Sequence, residues 1–245
     1  MTLAHDVTGD GPAVLLLHST VVDRRMWDPT VPALVEAGFQ AIRCDLRGYG
    51  DSPPATELYN DADDALDLLG TDPFTIIGSS GGGRVALEIA ARYPGLVTAL
   101  VLLCSAGDNL FPGPGLRAFW DRENALLEAG DIDGAVDLNV TQWVGPEASD
   151  QTRDSVRVMQ RHVFDLQMAV PEEPPQTTYE YDYADIAARM LLVTGAHDFP
   201  EFGAVADDLA AVHPSATRVH LPWAGHLPSM ERPDLLNPIL LEFLK

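Results

Sequence analysis

Two serines and four glycines separate an apolar run from a stretch with helical spacing in FTIIGSSGGGRVALEIAARYP, residues 74–94. Glycine is the costliest residue to order and serine is a poor helix former, so such a junction needs a reason. A tight strand-to-helix turn that lifts one side chain above a sheet supplies it, because the residues two before and two after the lifted one must be small. Centring on Ser80 puts Gly78 and Gly82 at those positions, whereas centring on Ser79 would put Ile77 at one of them. Ser80 is therefore the candidate nucleophile. The helix that follows aims its unpaired N–H groups and positive dipole end at the same place, which makes the Gly81 N–H a candidate donor to a developing oxyanion. A phosphate-binding loop is the competing reading, but neither G-x-G-x-x-G nor a G-K-[ST] ending occurs in this stretch.

A serine hydroxyl needs a base, and the base needs a group to orient it. GAHD (195–198) directly follows the apolar run MLLVT, which places Asp198 at a strand's carboxyl end; WAGHLPSMERP (223–233) follows RVHL and places His226 in the next loop. Asp108 is a rival acid, but it lies several residues beyond its strand. Of the seven histidines, His226 fits the base best. His197 reads as a turn residue, His162, His213 and His220 as surface or packing residues, and His18 as a residue that holds a loop.

The elements that must position these groups follow from periodicity. AVLLL (13–17), FQAIRC (39–44), FTII (74–77), ALVLLC (99–104), MLLVT (190–194) and RVHL (218–221) read as strands. Helical patterns lie around 27–37, 58–69, 82–92, 204–212 and in a last segment ending at Leu244. Alternation of this kind implies an α/β fold, with a mostly parallel central sheet and helices on both faces. From 106 to 183 the texture changes: FPGPG, two longer helical patterns (116–127 and 150–168) and PEEPPQTT, which reads as an extended return. Residues 1–105 and 184–245 are thus expected to form the core, and 106–183 a helical cap inserted into it. Pro238 should bend the last helix unless the regular helix begins there.

The order Ser, Asp, His with an elbow after a strand resembles the α/β-hydrolase family. LLLHST, DLRGYGDS (45–52) and LPWAGHLPSMERPDLLNPILLEFL are similar to its oxyanion segment, its D-x-R-G-x-G-x-S turn and its closing segment. The resemblance implies a Ser80–His226–Asp198 triad acting on a small ester or lactone, and a second oxyanion donor at the Thr20 N–H. It departs from the family at Ser19, which stands where a glycine is usual and so sets the donor on a less permissive turn. HSTVVDRRMWDP is similar to the enol-lactonase branch, where serine also takes that place. AHDVTGDGP looks like the tail of a first hairpin without its outer strand, which implies a smaller sheet or a different edge. The same triad could serve carbon–carbon bond hydrolysis or cofactor-free perhydrolysis, and a binding receptor on this fold would be marked by a broken triad, which is not seen. Phe111, Phe119, Trp120, Trp143, Phe164 and Met168 could line a pocket or form the cap's own core.

Bulk properties exclude other classes. With 37 acidic against 15 basic residues and a formal net charge of −22, the chain repels phosphate backbones and anionic membranes, so neither is expected as a partner. Cys44 and Cys104 lie in or beside apolar runs and read as small buried residues, which suits a reducing compartment. No run approaches bilayer length and the N-terminus lacks a signal pattern, so a cytoplasmic location is expected. No cofactor or metal is called for by this chemistry, and no cluster with metal-ligand spacing is apparent.

Overall fold

The computed structural model describes residues 2–170 and 176–245. Met1 and residues 171–175, most of the PEEPPQTT stretch, lie outside the described residues. Seven strands are described: β1 (His5–Thr8), β2 (Ala13–Leu17), β3 (Gln40–Cys44), β4 (Phe74–Ser79), β5 (Val97–Leu103), β6 (Arg189–Gly195) and β7 (Thr217–Leu221). They form one sheet in the order β1-β3-β2-β4-β5-β6-β7, parallel throughout except for β1, which runs antiparallel to β3.

β1 has no outer partner among the described residues and forms the edge of the sheet, in line with a first hairpin that lacks its outer strand. It pairs with β3 from His5 opposite Cys44 to Thr8 opposite Ala41, and not with the adjacent β2. The turn between β1 and β2 uses left-handed glycines, Gly9 at φ 85° and Gly11 at φ 145°. A side chain at Gly9 would meet the Phe39 carbonyl at 2.6 Å, so the turn crosses directly over the entry to β3.

The nearly unbroken apolar strands are explained by burial on both faces. One face carries Val14, Leu16, Ile77, Val101 and Val193 against α1 (Val31–Glu36) and α9 (Pro233–Leu244). The other carries Leu15, Leu17, Ile76, Leu100 and Leu192 against α2 (Asp61–Leu66), α3 (Gly81–Arg92) and α7 (Pro200–Val212). Pro238 lies inside α9, which opens instead at Pro233; a helix starting at Pro238 is excluded.

Between β5 and β6, themselves neighbours, run α4 (Pro114–Glu128), α5 (Ile132–Trp143) and α6 (Asp150–Met168). Only two long helical patterns were expected there. α5 carries Gly134 and the β-branched Val136, Val140 and Thr141, which weaken its local signal, and burial of Ala135, Val136, Val140 and Trp143 overrides it. The chain returns through Gln176, which bridges Tyr59, while the Thr177 N–H donates to the Tyr59 carbonyl at 2.8 Å. Among the described residues, no helix is long and apolar enough to cross a membrane.

Candidate active site

Ser80 stands between β4 and α3 at φ 52°, ψ −120°. Cys104, at φ 46°, is the only other described non-glycine with a left-handed φ. Holding an L-residue there costs about 1–3 kcal/mol, so the surroundings must impose it. They do so through the backbone: the Ser80 N–H donates to Leu103 O at 3.0 Å, and its carbonyl accepts from Gly83 at 2.9 Å and Ala106 at 3.0 Å. The neighbouring glycines are required by contact. A Cβ on Gly78 would sit 2.7 Å from Gly82 O, and one on Gly82 would sit 2.5 Å from Leu17 O. Ser80 occupies the N-cap position of α3 without a capping hydrogen bond from its side chain, so the hydroxyl is not consumed by the helix.

The segment after β2 packs on this elbow. A Cβ on Gly81 would meet Thr20 Cγ2 at 2.6 Å, which brings Thr20 and Gly81 together at the start of α3. Ser19 does not strain the turn, since its φ is not left-handed. Its hydroxyl accepts from the Val21 N–H at 3.3 Å and its carbonyl accepts from Val22 at 3.1 Å. A serine thus supplies the turn's hydrogen bonds in place of glycine's conformational freedom. His18 holds this loop: its Nε2 accepts from the Leu46 N–H at 2.9 Å, so Nδ1 carries the proton and donates to Ser19 O at 2.9 Å. Burial pushes its pKa down, which keeps the ring neutral.

Asp198 and His226 meet. Nδ1 of His226 lies 2.8 Å from Asp198 Oδ2, with the two side chains 1% and 3% exposed. The other carboxylate oxygen accepts from the Phe199 N–H at 2.7 Å. With Nδ1–H donating to the carboxylate, Nε2 is the ring atom able to take up a proton. Trp143 and Phe202 pack on the ring, with centroids 4.5 Å and 4.4 Å away, and the His226 N–H donates to Trp143 O at 2.9 Å.

The remaining candidates fall elsewhere. Asp108 acts on the Tyr181 and Tyr183 phenols, whose pKa values burial pushes up first, with the Asp108 charge adding to it. His162, His213 and His220 bond to Gly50 O, Tyr183 O and Thr194 Oγ1, and His197 is exposed in its turn. Of the six inserted side chains, Trp143 packs on the imidazole, Phe119 joins Phe199 and Phe202 around Trp143, and Phe164 is buried in the core. Phe111, 82% exposed, and the exposed Trp120 and Met168 face solvent.

Two residues close to the imidazole gave no distinct sequence signal. Cys104 directly follows β5 and directs its thiol at Gly225 O, 3.5 Å away. Its sulfur, Asp198 and His226 offer atoms within 4.8 Å of one another, the donor types of a metal site. Burial raises the thiol pKa well above its usual value, with Asp198 and Glu231 adding to it, so the group stays protonated and is a poor ligand. Glu231, five residues past His226, is buried beneath the same loop. Its sequence gives no cue that sets it apart from Asp234 and Glu242 in the same closing segment.

The sequence profile of the alpha/beta hydrolase fold matches residues 12–233, a span that includes the elbow, Asp198 and His226. The chain belongs to the alpha/beta hydrolase fold family. Within it, the chain is similar to the putative non-heme bromoperoxidase BpoC of Mycobacterium tuberculosis, at 26% identity over 99% of this chain and 97% of that protein. Among solved structures, a thermophilic esterase from Thermogutta terrifontis superposes with a TM-score of 0.76 at 25% identity, covering 99% of this chain and 92% of that one. The enol-lactonase of Burkholderia xenovorans superposes with a TM-score of 0.79 at 21% identity, covering 99% and 96%, a likeness of fold alone.

Proposed function

We propose that the protein is a serine hydrolase of small carboxylic esters or lactones, acting through an acyl-enzyme on Ser80. His226 Nε2 takes the Ser80 proton as the hydroxyl oxygen attacks the substrate carbonyl, and Asp198 holds the imidazole in the required tautomer and stabilises its cation. The N–H groups of Gly81 and Thr20 hold the oxyanion, where loss of one such donor costs about 3 kcal/mol in related chemistry. His226 then protonates the leaving oxygen and, in the second half, activates water against the acyl-enzyme. Residues 106–183 serve as the cap over this site, with Trp143 and Phe119 limiting the acyl group. The observations that carry the reading are the buried 2.8 Å pair of His226 and Asp198 and a serine held at left-handed φ between β4 and α3. The family likeness and the esterase among the similar structures support it.

Turnover of a short-chain aryl ester by wild type and Ser80→Ala tests it. Loss in the variant supports the nucleophile, and equal rates overturn it. A lactone panel then separates the two substrate classes. The likeness to BpoC favours one second reading, interception of the acyl-enzyme by hydrogen peroxide to give a peracid. Peroxide-dependent bromide oxidation that requires both a carboxylate donor and Ser80 would establish it.

A further inference from the structure

Glu231 is a buried acid that the proposed reaction leaves unused. It lies in the short turn of helix Pro228–Glu231 and is 4% exposed. Among the described residues, no lysine or arginine forms an ion pair with it. Its carboxylate is held by backbone instead. Oε2 accepts from the Gly225 N–H at 2.8 Å and Oε1 accepts from the Leu227 N–H at 2.9 Å, the two residues that flank His226. A third N–H, from Gly145, is directed at the same group. Gly145 lies two residues beyond Trp143, whose carbonyl accepts the His226 N–H. The approach there leaves no room for side chains: a Cβ on Gly225 would meet Gly145 N at 2.5 Å.

We infer that Glu231 is a positioning residue for His226, which fixes the loop on both sides of the imidazole and supplies a second buried negative charge that favours the imidazolium formed during reaction. The inference rests on the assignment of His226 as the base. The geometry explains why a carboxylate stands here. Two acceptor oxygens face N–H groups on either side of one residue, and a glutamine would turn an NH2 toward one of them. Burial pushes the Glu231 pKa up, against the three N–H donors and the neighbouring imidazole, which favour the anion. Other charged or titratable groups also face this corner. Asp198 and Cys104 lie beside the ring. Arg153 of α6 donates to Gly145 O at 2.6 Å, and Arg25, Asp28 and Asp154 line the cleft that borders Glu231. Arg25 is itself paired with Asp23.

Removing the charge makes the imidazolium less favourable, so the histidine should titrate lower. For Glu231→Gln, kcat falls about tenfold or more while KM stays within about twofold, because the carboxylate acts through the ring and not on substrate. The acid limb of kcat/KM moves down by about half a pH unit or more. The same downward shift should appear in an NMR titration of the His226 ring in a Ser80→Ala background, assigned with His226→Asn. That titration needs no turnover, so it separates failure of this inference from failure of the hydrolase reading, which Ser80→Ala activity reports. A folded Glu231→Gln protein with unchanged kcat and an unmoved His226 titration overturns the proposal. Glu231→Asp keeps the charge on a shorter arm and covers the case in which the glutamine variant does not fold. It should retain the histidine titration and lose part of kcat; full kcat overturns the positioning role.

Discussion

The imidazole of His226 lies between two regions built on different rules. On the sheet side, the ends of β4, β5 and β6 are locked by backbone hydrogen bonds and by glycines with no space for a Cβ. On the other side, α5 meets the ring through Trp143, which Phe119 of α4 backs, and the polar faces of α5 and α6 carry exposed pairs such as Arg157 with Asp137 and Arg161 with Asp165. Exposed pairs of that kind contribute little at physiological salt. In the first region position is set by covalent and hydrogen-bond geometry, which tolerates no change. In the second it is set by packing of side chains, which tolerates repacking. A fold so divided can keep one reaction while its substrate preference changes.

The largest way to break the comparison is at the elbow itself. Ser80→Ala should lower kcat by about 10⁴-fold or more without lowering the melting temperature. Ser80→Gly, equally inactive, should raise stability by about 1 kcal/mol because glycine accepts φ 52° without strain, a difference read by denaturant titration. Asp198→Asn should leave the fold intact and reduce kcat by about 10³-fold or more, since the amide no longer holds the productive tautomer. Retained activity would remove the acid from the proposal.

Next in size is the aromatic side. Trp143 packs on Phe119, Phe199, Phe202 and His226, with its Nε1–H donating to Asn139 Oδ1 at 2.8 Å. Trp143→Ala should cost about 3 kcal/mol. Hydrogen exchange should show the loss as opening of α4 to α6, with β4 and β5 still protected; uniform loss would mean that the two regions unfold as one unit. Glycine substitutions sharpen the contrast further. Gly78→Ala should destabilise by about 1–3 kcal/mol, because the new methyl would meet Gly82 O at 2.7 Å. Gly115→Ala, in α4, should instead leave stability unchanged or raise it by up to about 1 kcal/mol, because alanine is the better helix former and its nearest neighbour would be Phe199 Cε1 at an ordinary 3.5 Å.

A pH-dependent effect lies where the inserted segment returns to the core. Gln176 donates to Asp61, whose partly buried carboxyl is pushed up from 3.8 to about 6, chiefly by burial. A carboxyl raised on folding contributes its stability below its unfolded pKa and loses it as pH rises through the folded value. Asp61→Asn should therefore be more stable than wild type at pH 7 by about 1 kcal/mol, and the gap should close below about pH 4. Denaturant midpoints across that range measure it, and a gap independent of pH would exclude this cause.

Local chemistry made much of this molecule legible in its sequence. The strand runs, the small residues two places either side of Ser80 and the mostly parallel sheet follow from period, size and turn chemistry, which act over a few residues. α6 was readable end to end because its apolar spacing is regular and Ser149 caps it. α5 was not, because its stability comes from what it buries and not from its own propensities. The edge position of β1 was decided by where the Gly9–Gly11 turn crosses β3. Tertiary structure alone set Trp143 against the imidazole while leaving Phe111 in solvent, and placed Glu231 between the N–H groups of Gly225 and Leu227. Each of these is a contact between segments far apart in the chain or a matter of which way a side chain faces, and neither is fixed by residue type or spacing.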